Sequence, residues 1–161
     1  LAMPTADCPT IVGWQPNTAR LCLVHGGRPA LTPHGCCQCQ TILSRMANTF
    51  GCRIDQPMAD VLFAVTPCIS ATHFRHDFHA EARALVDPFR VMHENWPEYN
   101  VIADDDQDTL DLRAVTRLQL EQWYRVPSTH INTHDACTVT EPALVSRRAG
   151  DQTHNLTLVL F

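Results

Sequence analysis

Two short apolar runs joined by a turn constrain this chain more than any other feature. Thr10-Ile11-Val12 is β-branched and bounded by Pro9 and Gly13, and Leu21-Cys22-Leu23-Val24 stops abruptly at His25-Gly26-Gly27. Short apolar runs bounded by turn residues read as buried strands, and Pro16-Asn17 supplies a turn between them. If the strands pair, Cys8 lies just before one and His25 just after the other, at the same edge of the sheet. A thiolate and an imidazole so placed can share a zinc or copper ion, or act as nucleophile and base.

The remaining segments read as mixed α and β. Thr32 before Pro33 reads as a helix N-cap, and Ile42, Leu43, Met46 and Phe50 recur at helical spacing up to a C-cap at Gly51. Asp60 to Val65 is a further buried strand, stopped by Thr66-Pro67. A helix is expected from about Asp77 to Leu85, with Phe78, Ala82 and Leu85 on one face. Pro88, Pro97 and Asp104-Asp105-Asp106 mark the stretch from Asp87 to Thr109 as an irregular, solvated connection. The acidic run lacks the spacing of a calcium loop. A helix from roughly Leu110 to Tyr124, a short strand at Thr129 to Asn132 and a buried terminal strand, Leu156 to Phe161, complete the chain.

Length and charge exclude some classes. With 161 residues the chain suits one domain, 1–161, and can bury a core. A net charge of −5 without Lys/Arg clusters speaks against nucleic acid. No apolar run is long enough to cross a bilayer, and Leu1-Ala2-Met3-Pro4 lacks the charged start of a signal peptide. Eight cysteines in a chain longer than the usual disulfide-stapled scaffold suit a reducing, cytoplasmic setting. Opening on Leu1 almost directly before a site-like segment, the sequence reads as the C-terminal portion of a longer parent.

Two other clusters carry metal-ligand residue types. His34, Cys36, Cys37 and Cys39 lie within six residues, but no second separated ligand pair closes a zinc knuckle. His73, His76 and His79 repeat every three residues, and read as the polar face of a helix.

Thr5-Ala6-Asp7-Cys8-Pro9, Val24-His25-Gly26-Gly27 and Thr66-Pro67-Cys68-Ile69 occur in an order that resembles the YfiH-type family, also called polyphenol oxidase or laccase-domain proteins. Leu110-Asp111-Leu112-Arg113, Cys137-Thr138-Val139-Thr140-Glu141-Pro142 and Ser146-Arg147-Arg148 continue the likeness along the whole chain. The resemblance implies an α+β, mixed-sheet sandwich and a cytoplasmic, metal-dependent purine nucleoside enzyme. Such enzymes phosphorolyse adenosine, inosine, guanosine and methylthioadenosine, with adenosine deaminase activity as well. Older descriptions give copper-dependent oxidation of phenols. By position, Cys8 and His25 correspond to two of three metal ligands for zinc, with copper possible. The third is a His from an upstream segment that this chain does not contain.

The sequence also departs from the family pattern. The family's His-Ala-Gly-Trp-Arg is His25-Gly26-Gly27-Arg28-Pro29, the Asp after the paired arginines is Ala149, and a later arginine falls at His154. Phosphorolysis needs cations to hold phosphate opposite the anomeric carbon. Arg28, Arg147 and Arg148 are the candidates, because guanidinium groups bind phosphate in a bidentate way. Besides the nucleoside enzyme, three readings stand: a metal-free cysteine hydrolase using Cys8 and His25, a copper-dependent, laccase-like phenol oxidase, and a degenerate, non-catalytic relative.

Overall fold

The computed structural model describes residues 1–33, 41–53 and 56–160. The expected pair of strands forms, as half of a four-stranded sheet. Strands β2 (Thr10–Gln15) and β3 (Arg20–His25) run antiparallel, with Thr10 opposite His25 and Gln15 opposite Arg20. The connection is a single 3-10 turn, Pro16–Thr18, with Pro at its start, where φ is pre-set and no amide is needed. Strand β4 (Leu62–Val65) pairs antiparallel on the other side of β2, and β7 (Ile131–Thr133) pairs parallel with β4, giving the order β3-β2-β4-β7. A parallel pair needs a long crossover, and the chain between β4 and β7 carries three α-helices among the described residues.

The first of five α-helices among the described residues, α1 (Arg28–Leu31), follows His25-Gly26-Gly27 directly. Thr32 closes this helix as its C-cap rather than opening the next one, its amide bonding to the Arg28 carbonyl. Pro29 at the helix start explains the shift, since it favours the first turn just as Pro33 would have. Helix α2 (Ile42–Thr49) buries Leu43, Met46 and Ala47, and Gly51, at φ +76°, follows it as expected. Helices α3 (Ala80–Ala84) and α4 (Asp87–Asn95) lie within the crossover, as does the small hairpin β5 (Ile102–Asp104) and β6 (Thr109–Leu110).

The expectation of an irregular stretch from Asp87 to Thr109 is therefore corrected. Pro88 starts α4 instead of breaking structure, and Phe89 and Met92 anchor that helix in the core. The Asp104 carboxylate accepts the amides of Asp106 and Gln107, so part of the acidic run is turn chemistry. The helix foreseen from Asp77 is shorter. Ala82 is buried, but Phe78 and Leu85 are exposed. His73 sits in a 3-10 turn and His76 is buried before α3, while His79 caps that helix through Nδ1, which accepts the Ala82 amide. The three histidines do not share a helix face.

Helix α5 (Leu112–Leu118) is capped by Asp111, whose carboxylate accepts the amides of Arg113 and Ala114, and it continues as a π-helical turn through Trp123. Leu112, Val115, Leu118 and Leu120 join Ile11, Phe63, Met46 and Phe89 in one core. The terminal strand β8 (Asn155–Leu158) pairs antiparallel with β1 (Ala2–Thr5), but it is not the buried strand expected. Its outward residues Leu156 and Leu158 are 59% and 62% exposed, and Asn155 and Thr157 face inward. A continuous apolar run does not reveal which face is covered. No helix among the described residues is long and apolar enough to cross a membrane.

Candidate functional site

The register of β2 and β3 builds the site. Thr10 opposes His25, so Cys8, two residues before Thr10, comes level with the glycines that follow the histidine. The Gly26 amide bonds to the Pro9 carbonyl at 2.8 Å and folds the loop back over β2. A Cβ on Gly26 would stand 2.9 Å from Ile11 Cδ1, which explains why a glycine follows His25. A Cβ on Gly27 would lie 3.4 Å from both Cys8 Sγ and His25 Nε2. Both heteroatoms thus flank one glycine.

Asp7 fixes this edge to the end of the chain. Its buried carboxylate accepts the Ser146 hydroxyl at 2.6 Å, the Thr138 hydroxyl at 2.9 Å and the Arg148 amide at 3.1 Å. Its backbone carbonyl accepts the Ile69 amide at 2.7 Å. Buried carboxylates require such saturation, because an unpaired one would bear a large desolvation cost. Segments around Ile69, Thr138 and Ser146 therefore meet at the residue beside Cys8.

A cavity of about 350 Å³ opens over the pair, lined by Asp7, Cys8, His25, Phe74, Arg147 and His154, among others. Arg147 reaches His154 Nε2 at 3.3 Å. Arg148 lays its guanidinium over the Phe74 ring, 5.0 Å from the centroid, and donates to the Arg75 carbonyl. Arg28, at the start of α1, is held below its ordinary pKa by burial and by the positive charge of Arg148, while Cys8 acts the other way. The structure thus brings Arg28, Arg147 and Arg148 to the neighbourhood of Cys8 and His25.

Burial and the Asp7 carboxylate push the Cys8 thiol up, and the Arg28 amide and charge offset part of that. Partial burial lowers the His25 imidazole, which favours the neutral form that can ligate a metal. Cys8 Sγ and His25 Nε2 suit two positions of a zinc or copper site. Among the described residues no group of three His, Cys, Asp or Glu side chains could hold a metal ion. The donor set fits a catalytic metal only in part, since such zinc sites take three protein ligands. The cluster His34, Cys36, Cys37 and Cys39 lies outside the described residues.

Two residues near this region stand where their sequence patterns do not place them. His76 is buried, with Nδ1 3.2 Å from the Asp108 carbonyl and Nε2 without a hydrogen-bond partner among the described residues. Burial, and the charges of Arg28 and Arg148, lower its pKa despite that carbonyl contact. Cys137 was visible only as part of a motif. Its Sγ accepts the Ser70 amide at 3.3 Å and lies 3.7 Å from His73 Nδ1. No sequence spacing links Cys137 to residues 70 and 73.

The family model described as "Multi-copper polyphenol oxidoreductase laccase" matches residues 1–158. Among solved structures, the Bacillus licheniformis hypothetical protein YfiH is similar at a TM-score of 0.68 and 20% identity, covering 97% of this chain and 55% of that one. YlmD from Geobacillus stearothermophilus is similar at a TM-score of 0.66 and 23% identity, covering 97% and 54%. A Neisseria meningitidis protein, NMB0706, is similar at 0.60 and 21%, covering 91% and 53%. The chain thus spans about half the length of these structures. At these identities the likeness shows the fold, a mixed α/β arrangement with mixed sheets. No curated protein matches the chain.

Proposed function

We propose, from the premise that this chain belongs to the multi-copper polyphenol oxidoreductase laccase family, that the whole protein carrying it is a purine nucleoside phosphorylase. Adenosine deaminase activity accompanies it in this reading, and the setting is cytoplasmic. The observation that supports it best is the cavity that joins Cys8 and His25 to Arg147, with Arg28 and Arg148 beside them. Arg147 lines the cavity and Arg28 and Arg148 lie close to one another beside it; like-charged guanidinium groups brought together favour an anion between them, and inorganic phosphate fits that charge.

In this reading the arginines hold phosphate by bidentate contacts, opposite the anomeric carbon of a bound nucleoside. Phe74 forms an apolar wall of the cavity, suited to the flat face of a purine. Asp7 keeps the Cys8 segment in place through its three accepted hydrogen bonds. Cys8 and His25 would hold zinc or copper together with a third donor from outside the described residues, and the bound metal would supply Lewis-acid chemistry. The raised Cys8 thiol counts against a metal-free cysteine hydrolase, which needs the thiolate.

The test follows adenosine with and without phosphate by chromatography, on the whole protein with its metal content quantified. Adenine and ribose 1-phosphate formed only with phosphate support the phosphorylase, and inosine formed without it supports deamination. Phenol oxidation that depends on copper, with nucleosides untouched, would replace the proposal with an oxidase. No nucleoside turnover and no stoichiometric metal would leave a degenerate relative.

A further inference from the structure

A second pair of sulfurs, Cys68 and Cys137, stands on the far side of the Asp7 anchor from His25, with Cys68 next to the Ile69 amide that bonds to the Asp7 carbonyl. Cys68, just after β4, and Cys137 are partners in an isolated parallel β-bridge, and the Thr138 amide bonds to the Cys68 carbonyl at 3.2 Å. Neighbouring strands stand about 4.7–4.9 Å apart. That separation falls within the Cα–Cα range of about 4.4–6.8 Å that a disulfide spans. Opposed residues of a bridge also start their side chains on the same side of the ribbon.

The two sulfurs are otherwise unlike. Cys68 is fully buried, and its thiol is directed to the Ile69 carbonyl. Cys137 Sγ meets the Ser70 amide at 3.3 Å and His73 Nδ1 at 3.7 Å, while the Ser70 hydroxyl lies 2.9 Å from that same nitrogen. Amide and hydroxyl donors converging on sulfur favour its anionic form. Burial alone would raise the Cys137 thiol, but the hydroxyl and amide of Ser70 and the amides of Val139 and Thr140 outweigh it and bring it to about 6. Burial, chiefly, pushes Cys68 up to about 12. The hydrogen-bond donors around Cys137 favour its anionic form, whereas burial favours the protonated form at Cys68.

We propose that Cys137 is a peroxide-reactive thiolate and that Cys68 resolves its sulfenic acid into an intramolecular Cys68–Cys137 disulfide. In the first step the Cys137 sulfur attacks a peroxide oxygen. An S–O bond forms, the O–O bond breaks, sulfur is oxidised by two electrons, and the departing alkoxide or hydroxide takes up a proton. In the second step the Cys68 sulfur attacks the sulfenyl sulfur. The S–S bond forms, the S–O bond breaks, and hydroxide leaves with the Cys68 proton as water. Because Cys68 holds its proton, the second step is the slower one, and the sulfenic acid persists long enough to be trapped.

The disulfide would tie together two segments that both anchor Asp7, through the Ile69 amide and the Thr138 hydroxyl. Oxidation therefore acts on the support of Cys8. Transient disulfides of this kind are the usual form in reducing compartments. The chemistry stands whether or not the protein turns over nucleosides.

The experiment treats the reduced whole protein with stoichiometric hydrogen peroxide, with and without dimedone, and maps every cysteine by peptide mass spectrometry. Wild type should yield the linked Cys68–Cys137 peptide. Cys68→Ser should lose it and accumulate the dimedone adduct on Cys137, several-fold above wild type. Ser70→Ala, which leaves both sulfurs in place, should slow alkylation of Cys137 by iodoacetamide at neutral pH about ten-fold by reducing its thiolate fraction. Cys137 reacting no faster than Cys22 or Cys52, a disulfide to any other cysteine, or no adduct in Cys68→Ser would each overturn the proposal.

Discussion

Two cysteine–histidine corners share one anchor and have opposite electrostatics. Cys8 and His25 flank Gly27, and Cys137 and His73 meet beside Ser70. Asp7 connects them, adjacent to Cys8 in sequence and bonded to the Thr138 hydroxyl next to Cys137. At the first corner burial and a neighbouring carboxylate raise the thiol, and at the second a set of hydrogen-bond donors lowers it. The contrast teaches that a Cys–His pairing alone does not define a chemistry. The groups around the sulfur decide whether it waits for a metal or stands ready as a nucleophile.

The largest effect that would test the contrast is loss of the first corner. Cys8→Ala or His25→Ala in the whole protein is expected to reduce nucleoside turnover to the level of a blank, with metal lost on gel filtration. Normal turnover in either variant would remove both residues from the site. The same substitutions should leave peroxide chemistry at Cys137 unchanged, since neither residue bonds to its sulfur.

Removing the shared anchor should disturb both corners through stability. Asp7→Ala deletes the acceptor of two hydroxyls and one amide in a buried position. About 3 kcal/mol of unfolding free energy should be lost in a urea titration, because buried donors are left unpaired. A loss under about 0.5 kcal/mol, the usual range for surface substitutions, would show that the anchor is not structural.

The arginines give a smaller, more selective effect. Arg148→Ala or Arg147→Ala should raise the KM for phosphate about ten-fold, with little change in the KM for adenosine, as loss of a charge-assisted contact implies. Equal changes for both substrates would assign these residues to general packing of the C-terminal loop.

The smallest effect is a pH dependence of stability at the second corner. The native Cys137 thiol, lowered to about 6, is ionised where the unfolded thiol, near 8.5, still holds its proton. The unfolded state thus binds more protons between these values, and stability rises with pH across that window. The contribution is fully present above the unfolded value and is lost as pH falls through about 6. Chemical denaturation at several pH values should show this slope in wild type and a shallower one in Cys137→Ser.

Much of the scaffold was legible in the sequence. β-Branched and apolar runs bounded by Pro and Gly marked β2, β3 and β4, and helical spacing marked α2 and α5. These patterns are local and report a preference for a pleated or helical surface. The crossover was harder to read. Pro88 can end one element or begin another, and α4 was decided by Phe89 and Met92 reaching the core. The apolar terminal strand carried no mark of which side would be covered, and its leucines face outward.

By itself the sequence determined that Cys8 and His25 stand at one sheet edge, because a two-strand register with a short turn leaves little freedom. Tertiary structure alone decided which cations gather near that edge, that Asp7 ties its segment to those of Ile69, Thr138 and Ser146, and that Cys137 finds Ser70, His73 and Cys68. The physical reason is range. Strand pairing and helical faces are fixed by neighbours a few residues away, whereas charge and hydrogen bonding at a buried atom depend on every group that folding brings to it.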